Sequence, residues 1–176
     1  MTTALIGHRG VGKTTLLGRL EEYGFHVIDL DRYIEQRTNL TITEIFACSG
    51  EACFREIEKK YFVEAMVMEP DFIAIGAGFN FTLPKSLNVV WVKRMTDKVG
   101  RGFLNRPRLD ESLTPIEEYF GKFQLRDKRF REKSDQIYEI PEGRFHASEF
   151  EKNILAGGIL KLDAILTLFQ KAMEDL

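Results

Sequence analysis

The sequence predicts an α/β fold, a three-layer sandwich with a central five-stranded parallel sheet, helices on both faces and a mobile lid. Three observations carry that expectation. Short apolar runs alternate with amphipathic helical stretches along most of the chain. The first apolar run ends in a glycine-rich turn that opens a helix. The 176 residues, 44% hydrophobic and 30% charged, suit one domain with a substantial core and exclude a mainly disordered chain.

Taken in order, Thr3–Ile6 is a short strand closed by Gly7. Residues 13–23 place Leu16, Leu17 and Leu20 at helical spacing and stop at Gly24. Residues 25–30 read as the second strand and 32–37 as a short helix. Residues 42–48 and 52–68 are both helical, the second with Phe54, Ile57, Tyr61, Ala65 and Met68 on one face before Pro70 ends it. Residues 72–75 form the third strand and meet Gly76-Ala77-Gly78. Residues 87–92 form the fourth, apolar enough to be central. A charged helix over 115–131, a fifth strand at Gln136–Ile140 and an amphipathic helix over 159–172 complete the chain. Strands separated by helices require crossover connections and therefore a parallel sheet. Residues 100–113 bear Arg and Pro, lack periodicity and exceed an ordinary connector, so they read as a lid or a disordered loop. The expected organisation is one domain over 1–176, with the lid at 100–113 and a C-terminal extension at 147–176.

Composition removes several classes of function. Twenty-five basic residues against 27 acidic ones give a net charge of −2, which argues against a nucleic-acid partner. No apolar run approaches the ~20 residues that span a bilayer, so no membrane partner is expected. Cys48 and Cys53, with His8, His26 and His146, show no metal-ligand spacing. The cysteines read as small core residues rather than nucleophiles or a disulfide. The N-terminus lacks a signal-peptide layout, which makes the cytoplasm the expected location.

Gly7-His8-Arg9-Gly10-Val11-Gly12-Lys13-Thr14 fits the phosphate-binding P-loop pattern. Glycines let successive N–H groups curl around phosphate oxygens, and the helix start adds positive potential. Gly10, Val11, Gly12, Lys13, Thr14 and Thr15 are accordingly the candidate ATP-binding residues. Lys13 would reach the β- and γ-phosphates, and Thr14 would join a Mg²⁺ shell. His8 reads as a loop-filling residue. Asp29 and Asp31, two apart on an extended segment, point the same way at the carboxyl end of the second strand. The alternative is that Asp31 caps the next helix while Asp29 is solvated.

Arg55 either pairs with Glu51 or Glu58 at helical spacing or offers a planar fork to a substrate carboxylate. Gly76-Ala77-Gly78 is either a tight turn or a point of close backbone approach to a ligand. Arg101, Arg106 and Arg108 form either a solvated loop or a lid that brings an arginine to the transferring phosphoryl group. Arg126 and Arg129 lie on the following helix, whose basic residues read mostly as a charged face.

Together these residues resemble the shikimate kinases, a family of P-loop proteins like the nucleoside-monophosphate kinases. The matching runs are Ile6 through Thr15, Ile28-Asp29-Leu30-Asp31 with Ile34-Glu35, and Ile42-Thr43-Glu44-Ile45-Phe46. Gly50-Glu51, Phe54-Arg55-Glu56-Ile57-Glu58, Gly76-Ala77-Gly78, Asn105-Arg106-Pro107-Arg108-Leu109, and Arg126 with Phe130 follow in the family's order. The resemblance covers about residues 3–140. It implies phosphorylation of the shikimate 3-hydroxyl by MgATP in aromatic amino-acid biosynthesis, by a monomer acting on small molecules. It also implies roles. Asp31 would accept the proton of the attacking hydroxyl or orient it, and Asp29 would hold Mg²⁺ through water. Arg55 and Arg126 would clamp the substrate carboxylate. Gly76, Ala77 and Gly78 would line that pocket, and Arg106 would be the lid arginine at ATP.

Three positions depart from the family's pattern. Ala77 stands among what are usually three glycines, Arg108 stands where an apolar residue usually follows Arg-Pro, and Phe130 stands where Tyr is common. Two other readings compete: a kinase for another hydroxy acid such as gluconate, and a non-catalytic ligand sensor.

Overall fold

Five strands build the sheet: β1 (Thr3–Ile6), β2 (Val27–Asp29), β3 (Phe72–Ala74), β4 (Asn88–Arg94) and β5 (Gln136–Ile140). The structure is a computed structural model that describes residues 1–94 and 124–140, together with residues 112, 117 and 121. Among the described residues the helices are α1 (Lys13–Glu22), α2 (Leu30–Thr38), α3 (Ile42–Val67) and α4 (Gln124–Lys133). The strands run in the order β2-β3-β1-β4-β5, with every pairing parallel. From β1 the chain goes to one side for β2 and β3, then to the other for β4 and β5. The carboxyl end of β1 is therefore a switch point, where open α/β sheets bind their ligands.

Period-two alternation gives each strand two faces, and in β1, β3 and most of β4 both are buried. Leu5, Phe72, Ala74, Val90 and Val92 form one core with Leu16, Leu17 and Leu20 of α1. Ala4, Ile6, Ile73, Ile75, Val89 and Trp91 form the other, closed by Ile34 of α2, Ile45, Phe54 and Phe62 of α3, and Phe130 of α4. Helices thus cover both faces, as the sequence predicts.

A capping box opens α3. The Thr41 hydroxyl accepts from the Glu44 amide at 3.2 Å, and the Glu44 carboxylate accepts from the Thr41 amide at 2.7 Å. Within α3 the two helical stretches read over 42–48 and 52–68 are both present and meet at a kink at Gly50, whose φ of 75° and ψ of 173° are non-helical.

Several expectations need correction. The second strand was expected over 25–30, but β2 ends at Asp29 and Leu30 already belongs to α2. The Asp29 side chain accepts from the Arg32 amide at 3.5 Å, so it is Asp29, not Asp31, that caps the helix. Asp29 and Asp31 therefore do not share an extended segment. Met68 lies at the C-terminal cap of α3 and is 49% exposed, not part of the buried face. Cys48 and Cys53 are both exposed and free, not core residues, because it is Ile45 and Phe54 of the same element that turn into the core. The lid at 100–113, apart from Ser112, and the extension at 147–176 lie outside the described residues, as does most of 115–123. No helix among the described residues is long and apolar enough to cross a membrane.

Candidate active site

Gly7 ends β1 and turns the chain into the loop. Its φ is 148°, and a Cβ there would overlap the Val92 carbonyl oxygen of the neighbouring strand, so only glycine fits. The loop runs into α1, whose cap is Gly12 in a left-handed conformation, with no side-chain hydrogen bond to its first amides. Open amides at a helix start are a ready anion site. Val11 is buried in the α1-side core and anchors the loop, while Arg9, Gly10, Thr14 and Thr15 face outward. The Lys13 ammonium donates to the Gly7 carbonyl at 2.7 Å and the His8 carbonyl at 3.1 Å. His8 is buried, with its ring centre 5.1 Å from that of Phe130 in an edge-on arrangement and its Nε2 hydrogen-bonded to the Asp127 carboxylate.

Beside the loop, the Thr14 hydroxyl donates to Asp29 Oδ2 at 2.6 Å. Asp31, in the first turn of α2, is half-buried. Burial and the neighbouring Asp29 push its carboxyl above the usual range, although Lys13 and Arg55 pull the other way.

Arg55 is gripped from several sides. Its guanidinium donates to Glu58 at 2.7 Å and to Glu51 at 2.9 Å, and lies 5.1 and 5.7 Å from the Phe54 and Phe46 ring centres. The helical-spacing reading is therefore met, and the same side chain borders the cleft described below. Glu58 is fully buried, which pushes its carboxyl up to about 7 despite the bond from Arg55. The same ion pairs hold the Arg55 proton more tightly, even though burial opposes its charge. The pair is lopsided because Glu51 shares the guanidinium, whereas Glu58 has no solvent at all; burial decides the Glu58 direction. Its second oxygen, Oε1, has no hydrogen-bond partner among the described residues and faces Gly76.

Gly76 and Gly78 are glycines for want of room. A Cβ at 76 would lie 2.7 Å from Glu58 Oε1 and 3.1 Å from Asp31 Oδ1, and one at 78 would overlap the Arg55 guanidinium. Ala77, between them, packs its methyl on the core while still bordering the cleft.

One cleft of about 830 Å³ gathers these groups. Gly10, Gly12, Lys13, Thr14 and Thr15 line one end, with Asp29 and Asp31 beside them. Arg55, Glu58, Gly76, Ala77, Gly78 and Arg126 line the other. Val11 lies below the cleft rather than in its wall, and Arg106 falls outside the described residues. Arg126 is held there by its helix. Arg129 and Lys133 donate to the Phe79 and Phe81 carbonyls at 2.9 and 2.8 Å, and Asp135 exchanges hydrogen bonds with Val89.

Two features go beyond the sequence reading, which gives Glu58 only as a pairing partner of Arg55 and His8 only as a loop-filling residue. Glu58 is the first, and its signal is legible: it falls four residues from both Phe54 and Phe62, on the buried stripe. The second is the His8–Asp127 contact, between residues 119 apart, for which the sequence holds no signal.

A glycine-rich phosphate loop at the switch point of a parallel sheet, facing an arginine–carboxylate pocket, defines a P-loop α/β protein. The sequence profile described as shikimate kinase matches residues 9–139, and the chain belongs to the shikimate kinase family. The shikimate kinase of Thermobifida fusca is 40% identical over 75 residues, which are 42% of this chain and 44% of that one. The Moorella thermoacetica shikimate kinase is 37% identical over 116 residues, 61% of this chain and 64% of its own. In neither does the chain span two thirds of the relative's length. Among solved structures, the Aquifex aeolicus shikimate kinase covers 89% of this chain and 95% of its own, with TM-score 0.66 at 24% identity. The Acinetobacter baumannii shikimate kinase, solved in complex with shikimate, covers 88% and 90%, with TM-score 0.68 at 25% identity.

Proposed function

We propose that this protein transfers the γ-phosphoryl group of MgATP to the 3-hydroxyl of shikimate, giving shikimate 3-phosphate and ADP in aromatic amino-acid biosynthesis. The observation that carries this reading is one cleft holding the phosphate loop, the raised Asp31 carboxyl and the braced Arg55.

Phosphoryl transfer asks a protein for positioning and charge neutralisation. The Gly10–Thr15 amides and the start of α1 take the ATP phosphates, with Val11 anchoring the loop from beneath. Lys13 exchanges its two carbonyl contacts for phosphate oxygens. Asp31 orients the attacking hydroxyl and takes its proton, a task helped by a carboxyl that burial and Asp29 make more basic than usual. Arg55 holds the acid group of the substrate and Arg126 reaches it from α4, while Gly76, Ala77 and Gly78 form the adjoining wall. With Glu58 up near 7, part of its population is neutral at physiological pH, which leaves the Arg55 charge available to an anion. Arg106 serves as the lid arginine.

Thr14 and Asp29 fit Mg²⁺, since a hydroxyl and a carboxylate oxygen lie together beside the loop. Mg²⁺ is usually held by one or two such groups plus phosphates and waters. When bound, it screens the phosphate charge. The protein acts as a monomer in the cytoplasm on small molecules; its near-neutral charge suits neither nucleic acid nor anionic membrane.

ADP release measured with MgATP and shikimate, gluconate or no acceptor tests the proposal. Shikimate-dependent turnover on the order of 1–10³ per second is expected. Gluconate-dependent turnover overturns the choice of substrate. ATP binding with no ADP release from any acceptor overturns catalysis and assigns a sensor.

A further inference from the structure

His8 joins the two ends of the cleft. Its carbonyl accepts from Lys13 at 3.1 Å, and its Nε2–H donates to the carboxylate of Asp127, the immediate chain neighbour of Arg126. The ring is 3% exposed and packs edge-on against Phe130 of the same helix, so it has little freedom to move independently of α4.

We propose that His8 is a positioning residue that makes the placement of Arg126 depend on whether phosphate occupies the loop. The inference rests on the substrate assignment proposed above. Lys13 supplies the two discrete arrangements that coupling requires: on the Gly7 and His8 carbonyls, or on a phosphate. When Lys13 leaves, the His8 peptide loses a charged donor and re-settles. Because the ring is tied to Asp127 and Phe130, that adjustment is carried to α4 and to Arg126. Linkage makes the effect mutual, so nucleotide changes the affinity for the acid by the factor with which the acid changes the affinity for nucleotide.

The molecule contains a reporter for this motion. Trp91 is its one tryptophan, buried, with its ring 5.9 Å from that of Phe130.

The test measures shikimate dissociation constants by calorimetry with and without ADP, and Trp91 emission during ADP titration, on the full chain. In the natural protein, ADP should change shikimate affinity by about fivefold or more and shift Trp91 emission. In His8→Ala the affinity ratio should collapse toward one and the emission shift should vanish, although ADP still binds. His8→Gln, which keeps an N–H donor for Asp127, should restore both. Asp127→Ala should reproduce His8→Ala, and the double variant should add nothing further; these variants also serve if His8→Ala does not fold. An unchanged ratio in His8→Ala, additive losses in the double variant, or no ADP effect in the natural protein overturns the proposal. If shikimate does not bind at all, the substrate assignment fails by itself, because the Trp91 shift and its loss in His8→Ala still decide the link between loop and helix.

Discussion

The guanidinium of Arg55 lies so close to the Cα of Gly78 that a Cβ at that position would overlap Nη2 and Cζ, while Glu51 and Glu58 hold the same guanidinium from its own helix. A glycine on one element and an arginine on another thus fix each other's place. Gly78→Ala should displace the fork without touching the phosphate loop. The shikimate KM should rise about tenfold or more while the ATP KM stays within about twofold. Steady-state kinetics with each substrate varied would check it, and an unchanged shikimate KM would remove Arg55 from the pocket.

Arg55→Lys keeps the charge but loses the planar fork that serves two carboxylates and the aromatic faces of Phe46 and Phe54. Shikimate KM should increase about 10–100-fold with little effect on ATP. Equal effects on both substrates would mean that α3 itself had moved.

For Asp31→Asn, kcat should fall by about 10²–10⁴-fold with the ATP dissociation constant preserved, because the loop is intact. The natural enzyme should speed up as pH rises through the elevated Asp31 pKa, since the base acts deprotonated. The variant's pH–rate profile should lack that limb. Retained turnover in the variant excludes Asp31 as the base.

Glu58 makes stability depend on pH. Its carboxyl, 4.5 in the unfolded chain, lies at about 7 when buried, so the folded state binds more protons between those values and stability falls as pH rises through them. Glu58→Gln cannot titrate and should lack that slope. The difference is on the order of 3 kcal/mol at most, read from denaturant midpoints at pH 4.5 and above 7. Parallel pH profiles would show that Glu58 stays ionised throughout.

Thr41→Ala removes one half of the capping box at the start of α3. A loss of about 0.5–2 kcal/mol is expected, and chemical denaturation would measure it. Smaller losses would mean that helix packing, not the cap, fixes where α3 begins.

Much of this protein is written in short-range pattern. The phosphate loop, the alternating strands, the bend between the two parts of α3 and the pairing of Arg55 with Glu51 and Glu58 all depend on residues a few positions apart, where backbone geometry alone sets who can meet. The extent of β2 is not legible for the same reason: an aspartate two places before another carries the same local signal in a strand and at a helix cap, and Leu30, buried in the core, already belongs to α2. Tertiary structure alone set the rest. Glu58 is titratable near neutrality because α3 presses it against Gly76 and Asp31, not because it is a glutamate. His8 meets Asp127 across 119 residues, and Gly78 admits Arg55 because two elements converge there. Spacing along a chain specifies neighbours within an element; desolvation and contact between elements exist only once the sheet has brought distant segments together.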